Sequence, residues 1–173
     1  MDPGIIKAGI LTATDRFSKG EREDPNGILL KSLVDSLPAE VIAYRVVPDE
    51  KKTLIKALIH LTDLCACDLV LTAGGTGLGP RDNTPEATRQ VIEKEIPGIM
   101  QAILEESLKW TPLAMLSRAV AGIRGKTLMI NFPGSLDAIK DAFEVLRPIL
   151  PHAIALLRNQ TPHTPQPLHF LHS

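Results

Sequence analysis

The stretch Asp68–Leu69–Val70–Leu71–Thr72–Ala73–Gly74–Gly75–Thr76–Gly77–Leu78–Gly79–Pro80–Arg81–Asp82–Asn83–Thr84–Pro85–Glu86–Ala87 decides how the chain is read. Its first third is a short apolar run bounded by turn residues, the pattern of a buried strand. Glycines at 74, 75, 77 and 79 then let the backbone turn sharply and bare consecutive N–H groups, with no Cβ to keep a ligand away. Thr84, Pro85 and Glu86 read as a helix start: a hydroxyl cap, proline at the first helical position and an acid in the first turn. A strand, a glycine loop and a helix start, in that order, describe an anion site, and phosphate is the anion that suits it. A glycine-rich turn without a ligand is the plain alternative, but Arg81 and Asp82 add charge that such a turn does not need.

Neither of the two familiar phosphate loops is present. No Gly-Lys-Ser/Thr follows the glycines, which excludes a Walker A loop. The third glycine of the dinucleotide fingerprint is misplaced, and no acidic ribose ligand lies at a suitable distance. The formal net charge of −1 argues against broad electrostatic binding of nucleic acid. One Trp, one Tyr and four Phe leave few platforms for stacking bases. Affinity for a phosphate ligand therefore has to be local.

Outward from the loop, strands alternate with amphipathic helices. Residues 5–12 form a first strand that empties into a long charged loop, 13–24. A helix over about 25–37 follows, capped by Asp24. A second strand, 41–47, ends at Pro48–Asp49–Glu50, and a helix starts near Lys51 with Leu54, Ile55, Leu58, Ile59 and Leu61 at helical spacing. Past the central stretch, 85–95 and 97–109 read as two helices broken at Pro97–Gly98, with a shorter helical piece at 112–117. Residues 119–132 read as two strands about a turn at Arg124–Gly125–Lys126, and a last helix runs from 136 to about 159 with a bend near Pro148 or Pro151. This alternation specifies an α/β domain with a largely parallel sheet over residues 1–159. The segment 160–173, with three prolines and three histidines, reads as a loosely ordered tail whose histidines are more simply solvated than metal-bound.

Two cysteines, Cys65 and Cys67, are too close for a disulfide framework and have no partners for a zinc site; they read as small apolar residues beside a strand. Reduced thiols, no evident signal peptide and no apolar run of ~20 residues point to a cytoplasmic protein that does not span a membrane.

Ligands of parallel sheets bind outside the strands' carboxyl ends. The loops 14–24, 48–50, 74–82 and 131–135 all follow such ends, so Asp49 and Asp82 can reach one crevice despite their separation in sequence. Two carboxylates beside a phosphate cradle repel it unless a cation stands between, and Mg²⁺ suits that place. The chemistry indicated is phosphoryl or nucleotidyl transfer. Asp49 read alone is equally a turn residue or helix cap, and Asp82 a partner of Arg81 or a cap near Thr84. Ser107, Ser117 and Arg118 read alone are surface polar residues. Ser135 caps the last helix after the Pro133–Gly134 turn. His152 is expected half-buried and inert, and no general base stands out.

The run Leu71–Thr72–Ala73–Gly74–Gly75–Thr76–Gly77, followed by Pro80–Arg81–Asp82–Asn83–Thr84–Pro85–Glu86–Ala87, closely resembles the signature of the molybdopterin adenylyltransferases, a family that takes in MogA, the MoaB proteins and the G domain of gephyrin. Pro48–Asp49–Glu50, Leu116–Ser117–Arg118, Ala121–Gly122–Ile123–Arg124–Gly125 and Ile130–Asn131–Phe132–Pro133–Gly134 match as well, and the similarity spans about 6–158. The resemblance implies a three-layer αβα sandwich, a homotrimer, and adenylation of molybdopterin by ATP with Mg²⁺, releasing pyrophosphate ahead of a separate molybdenum-insertion protein. It implies that Asp49 and Asp82 are the catalytic, Mg²⁺-linked carboxylates. By the same match Gly74, Gly75, Thr76 and Gly77 hold phosphate, and Pro133 and Gly134 lie near the nucleotide. Thr14, Asp15, Ser107, Ser117 and Arg118 are the implied substrate contacts.

The first loop departs from the family pattern. Ser-Asp-Arg becomes Thr14–Asp15–Arg16, Gly20 is kept, and Asp-x-Ser/Thr-Gly becomes Asp24–Pro25–Asn26–Gly27, so an amide replaces a hydroxyl. Two other readings stay open at this level: a MoaB-like protein that binds pterin but adenylates weakly or not at all, and a trimeric scaffold domain.

Overall fold

A computed structural model describes residues 4–16 and 23–160. Six strands form one sheet in the order β2-β1-β3-β6-β5-β4: β1 (Ile6–Ala13), β2 (Ala39–Val47), β3 (Leu69–Ala73), β4 (Lys94–Glu95), β5 (Ala121–Arg124) and β6 (Thr127–Phe132). The first four in that order run parallel, while β5 is antiparallel to both β6 and β4. The central strand β3 sets Leu71 opposite Ile10 on one side and Ile130 on the other.

Every residue of β3 and of β6 is buried, as a strand covered on both faces requires. Side-chain alternation then feeds two cores. Leu69, Leu71, Leu128, Ile130 and Phe132 enter one with α1 (Pro25–Val34), α5 (Leu136–Leu146) and α6 (Leu150–Leu157). Val70, Met129 and Leu11 enter the other with α2 (Lys51–Ile59) and α3 (Thr84–Val91). Helices on both faces of one sheet make the three-layer αβα sandwich expected from the sequence. Asp24 caps α1 by accepting the Asn26 N–H at 3.1 Å, and Ser135 caps α5 by accepting the Ala138 N–H at 3.3 Å.

Four expectations need correction. Residues 94–95 belong to an edge strand rather than to the helix read over 85–95. Ile92 is extended at ψ 152°, Glu93 N–H donates to Ile123 O and Ile96 N–H to Ala121 O, so pairing with β5 outweighs helical propensity there. Thr84 is the first residue of α3, Asn83 occupies the cap position, and no side-chain cap bond forms. The last helix is two, α5 and α6, parted where Pro148 supplies no N–H. His152 is exposed. Residues 17–22 of the first loop, Gly20 among them, and the tail histidines at 163, 169 and 172 lie outside the described residues.

Candidate active site

Parallel pairing carries the ends of β1, β2, β3 and β6 to the same rim, and the loops that leave them hold one another in place. After β3, Gly74 and Gly75 have φ of 89° and 67°, a region that side-chain-bearing residues seldom adopt. A Cβ on Gly74 would lie 2.5 Å from Ala13 O, so the turn is also too close to β1 for any other residue. Gly74 N–H donates to Phe132 O at 3.2 Å, tying the loop to β6. The next three N–H groups, of Gly75, Thr76 and Gly77, donate to nothing among the described residues. That is the arrangement by which a loop receives an anion.

The acidic residues gather round this loop. Asp15, just past β1, accepts two bonds from Arg81, from Nε at 3.0 Å and Nη2 at 2.9 Å, and a third from the Asp49 N–H at 3.0 Å. Arg81 thus pairs with Asp15 and not with Asp82. The Asp82 carboxylate accepts the Gly79 N–H at 2.8 Å and closes its own turn. Burial first, then the negative charges of Asp15 and Asp82, push the Asp49 carboxyl up, against the pull of Arg81. Asp49 and Asp82 therefore sense each other across the glycine loop. Asp49 sits in a tight turn, with Glu50 N–H donating to Pro48 O at 2.7 Å, but it does not cap α2, and its Oδ1 is buried without a hydrogen-bond partner among the described residues.

Arg118 braces the loop from below. Its Nε donates to Gly77 O at 2.7 Å, Nη2 to Asp82 O at 2.9 Å and Nη1 to Glu86, while its own N–H donates to Thr76 O at 2.9 Å. Burial would raise the Glu86 carboxyl, but the hydrogen bond and charge of Arg118 outweigh it and hold the group below its ordinary range. The guanidinium for which the resemblance implies a substrate contact is engaged with the loop itself.

Beside the loop lies a cavity of about 490 Å³, bordered by Thr76, Gly77, Ser107, Ser117, Asn131 and Pro133 and otherwise largely apolar. Ser107 ends α4 (Pro97–Ser107), and Ser117 follows a short 3₁₀ turn, Pro112–Leu116. The two serines, read from the sequence as surface residues, thus face one cavity whose other wall is the phosphate-type loop. Gly134 is held from the first loop: Asn26 Nδ2 donates to Gly134 O at 3.0 Å, so the amide that departs from the family pattern has a defined partner. Thr14 Oγ1 accepts the Arg16 N–H at 3.2 Å, which shapes the exit of β1.

Sequence reasoning did not single out Asn131 as part of this wall. Asn131 is 1% exposed and donates to Thr72 Oγ1 and Thr88 Oγ1, both at 2.9 Å, while its Oδ1 accepts the Val120 N–H at 3.0 Å. A polar side chain at the end of an otherwise apolar strand was the available signal.

A largely parallel sheet with this loop, acidic cluster and cavity at its strand ends is the layout of an α/β protein that takes an anionic ligand there, and its relatives belong to molybdenum cofactor biosynthesis. The family described as "Probable molybdopterin binding domain" matches residues 9–152, and the chain belongs to that family. It is 42% identical over 155 residues to a molybdopterin adenylyltransferase of Helicobacter pylori, covering 88% of each chain. It is 37% identical over 142 residues to the molybdopterin adenylyltransferase of Escherichia coli, covering 80% of this chain and 72% of that one. Among solved structures it is similar to the molybdopterin biosynthesis enzyme MoaB of Thermus thermophilus, with a TM-score of 0.83 at 43% identity, covering 90% of this chain and 98% of the other.

Proposed function

We propose that the protein is a molybdopterin adenylyltransferase that joins AMP from ATP to the terminal phosphate of molybdopterin. The observation that carries this reading is the placement of Asp15, Asp49 and Asp82 round a loop of undonated N–H groups that is also one wall of the serine-bearing cavity. An oxygen of the pterin phosphate attacks the α-phosphorus of ATP, the bond from that phosphorus to the bridging oxygen breaks, and pyrophosphate leaves. The nucleophile is already anionic, so no general base is needed. The chain contributes positioning: Gly74–Gly77 hold the triphosphate, Pro133 and Gly134 border the nucleotide, and Thr14, Ser107 and Ser117 contact the pterin. Arg81 and Arg118 keep the acidic residues and loop in register.

Mg²⁺ fits the donor set. Asp49 presents a buried carboxylate oxygen without a partner, and Asp82 is the second acid at the same loop. Among the described residues no three Asp, Glu, His or Cys side chains form a ready-made cage, in keeping with an ion held by one or two carboxylates and completed by phosphate oxygens and water. When bound, the ion offsets the charge of the triphosphate. We further propose a homotrimer. No residue of α4 is buried, and Leu104, Leu108, Trp110, Leu113 and Met115, close together in sequence, are all exposed, with Leu104 and Leu113 bordering the cavity: an apolar segment suited to a second copy. The adenylate goes on to a molybdenum-insertion protein, in the cytoplasm; no described helix is long and apolar enough to cross a membrane.

The test is release of pyrophosphate from ATP, strictly dependent on molybdopterin and Mg²⁺. Pterin binding without pyrophosphate release overturns the assignment in favour of a MoaB-like binder, and neither activity leaves a scaffold.

A further inference from the structure

Two buried polar atoms without hydrogen-bond partners among the described residues converge on one point. Thr84 is 0% exposed and its Oγ1 is partnerless; so is Asp49 Oδ1. A Cβ built on Gly75 would lie 2.5 Å from Thr84 Oγ1 and 2.9 Å from Asp49 Oδ1. The two oxygens are therefore no further apart than those two lengths laid end to end. They come from the end of β2 and the start of α3, and the glycine between them keeps φ at 67°.

The hydroxyl has no structural task that explains its burial. It does not cap α3. The backbone of Thr84 is fixed by other bonds, its N–H to Gly75 O at 3.1 Å and its C=O from Thr88 Oγ1 at 2.8 Å. A hydroxyl and a carboxylate oxygen left unpaired in the interior are costly, so a pair of them facing one spot marks a place where something binds. Both are lone-pair donors, and the carboxylate is anionic. A hydroxyl and an Asp carboxylate are also the protein ligands by which P-loop nucleotide-binding proteins hold Mg²⁺.

Building on the adenylyltransferase reading, we infer that Thr84 Oγ1 and Asp49 Oδ1 form a two-oxygen seat over Gly75 for the divalent cation that accompanies the nucleotide. Thr84 is then a binding residue of the active site, supplying the neutral oxygen that the acids alone do not. Gly75 is required at the seat as well as at the turn, because any Cβ there occupies the position between the two oxygens.

The test uses Mn²⁺ as the probe, with ATP present and molybdopterin withheld so that no turnover occurs, and reads free Mn²⁺ by electron paramagnetic resonance. Thr84→Val, which keeps the side-chain shape, is expected to weaken Mn²⁺ binding about tenfold, the low end of what altered metal-site contacts cost. Thr84→Ser is expected to bind Mn²⁺ like the wild type, and ATP affinity in EDTA is expected to be the same for all three proteins. Circular dichroism checks that each variant is folded, and Thr84→Ala, which removes the same oxygen, carries the comparison if Thr84→Val is not. Wild-type Mn²⁺ affinity in Thr84→Val overturns the seat, as does an equal loss of ATP affinity with and without the metal, which assigns the hydroxyl to phosphate. Asp49→Asn and Asp82→Asn separate this inference from the reading beneath it. If both lose Mn²⁺ while Thr84→Val keeps it, only the seat falls; if neither loses Mn²⁺, the metal-dependent reading falls with it.

Discussion

Arg81 and Asp15, 66 positions apart in the chain, meet in a two-point ion pair at the mouth of the glycine loop. Their side chains are 61% and 47% exposed, so solvent screens the pair and it adds little to stability. Its effect is on orientation. Asp15 Oδ1 also accepts the Asp49 N–H, so one carboxylate aligns the exits of β1 and β2 with the loop after β3. Asp15→Ala is expected to lower kcat/KM about tenfold, by misplacing Asp49, while shifting the melting temperature by only a degree or two. Steady-state kinetics beside a thermal melt checks both halves.

Asp82→Asn keeps the size of the side chain and an oxygen to accept the Gly79 N–H, so the turn survives. What is lost is the negative charge that the proposed reaction places beside the reacting phosphates. Turnover is expected to fall ~10²-fold or more, a few kcal/mol of transition-state stabilisation. Near-normal pyrophosphate release by the folded variant removes Asp82 from the mechanism.

Asp49 carries a pH signature. Its folded pKa is raised by burial and then by Asp15 and Asp82. A raised carboxyl costs stability at every pH above its folded pKa, and that cost disappears below the unfolded value. Asp49→Asn is therefore expected to melt at a higher temperature than the wild type at pH 7, with the difference vanishing in acid, while activity is lost. For the wild type, the acid limb of kcat/KM at sub-saturating Mg²⁺ is expected to lie above the ordinary Asp range, because the protonated group no longer attracts a cation. Removing the opposing charge in Arg81→Ala moves that limb further up.

The Arg118 fork spans Gly77 O, Asp82 O and Glu86. Lysine carries the charge but cannot reach three acceptors at once. Arg118→Lys is expected to cost about 1–3 kcal/mol of stability and to raise KM for ATP, because the loop is no longer held in its anion-receiving shape. Denaturant titration and ATP binding report the two effects.

Far from the site, Arg158 donates to Asp68 from Nε at 3.1 Å and Nη2 at 2.5 Å and to Ile5 O at 3.0 Å, closing the end of α6 onto β1 and β3. The pair is 16% and 15% exposed. Burial pushes the Asp68 carboxyl up, but Arg158 and the Lys7 N–H more than offset this and lower it. Such a depressed carboxyl adds stability that is present above its unfolded pKa and is lost as the pH falls through its folded one. Arg158→Met is expected to cost ~2 kcal/mol at pH 7, by leaving the half-buried Asp68 carboxylate without its charge partner and with only the Lys7 N–H, and progressively less in acid, which urea titrations at both pH values measure.

Much of this protein was legible from spacing alone. The alternation of β3 and β6 with amphipathic helices encodes a sandwich, because strand and helix periods depend only on near neighbours in the chain. The glycine loop after Ala73, the caps at Asp24 and Ser135 and the gathering of four strand ends at one rim follow from the same local rules and from parallel pairing. Sequence spacing assigned 94–95 to a helix because the pairing with Ile123 and Ala121 that makes it a strand comes from a segment nearly thirty residues further on. Arg81 as a partner for Asp82 was one plain alternative that spacing left open, and the guanidinium turns instead to Asp15 across the rim. The linking of Asn131 to Thr72 and Thr88, the bracing of the loop by Arg118 and the convergence of Thr84 with Asp49 over Gly75 were decided only by the tertiary structure. Such meetings depend on strand register and on the depth at which a helix docks, and neither is written in any local stretch of the chain.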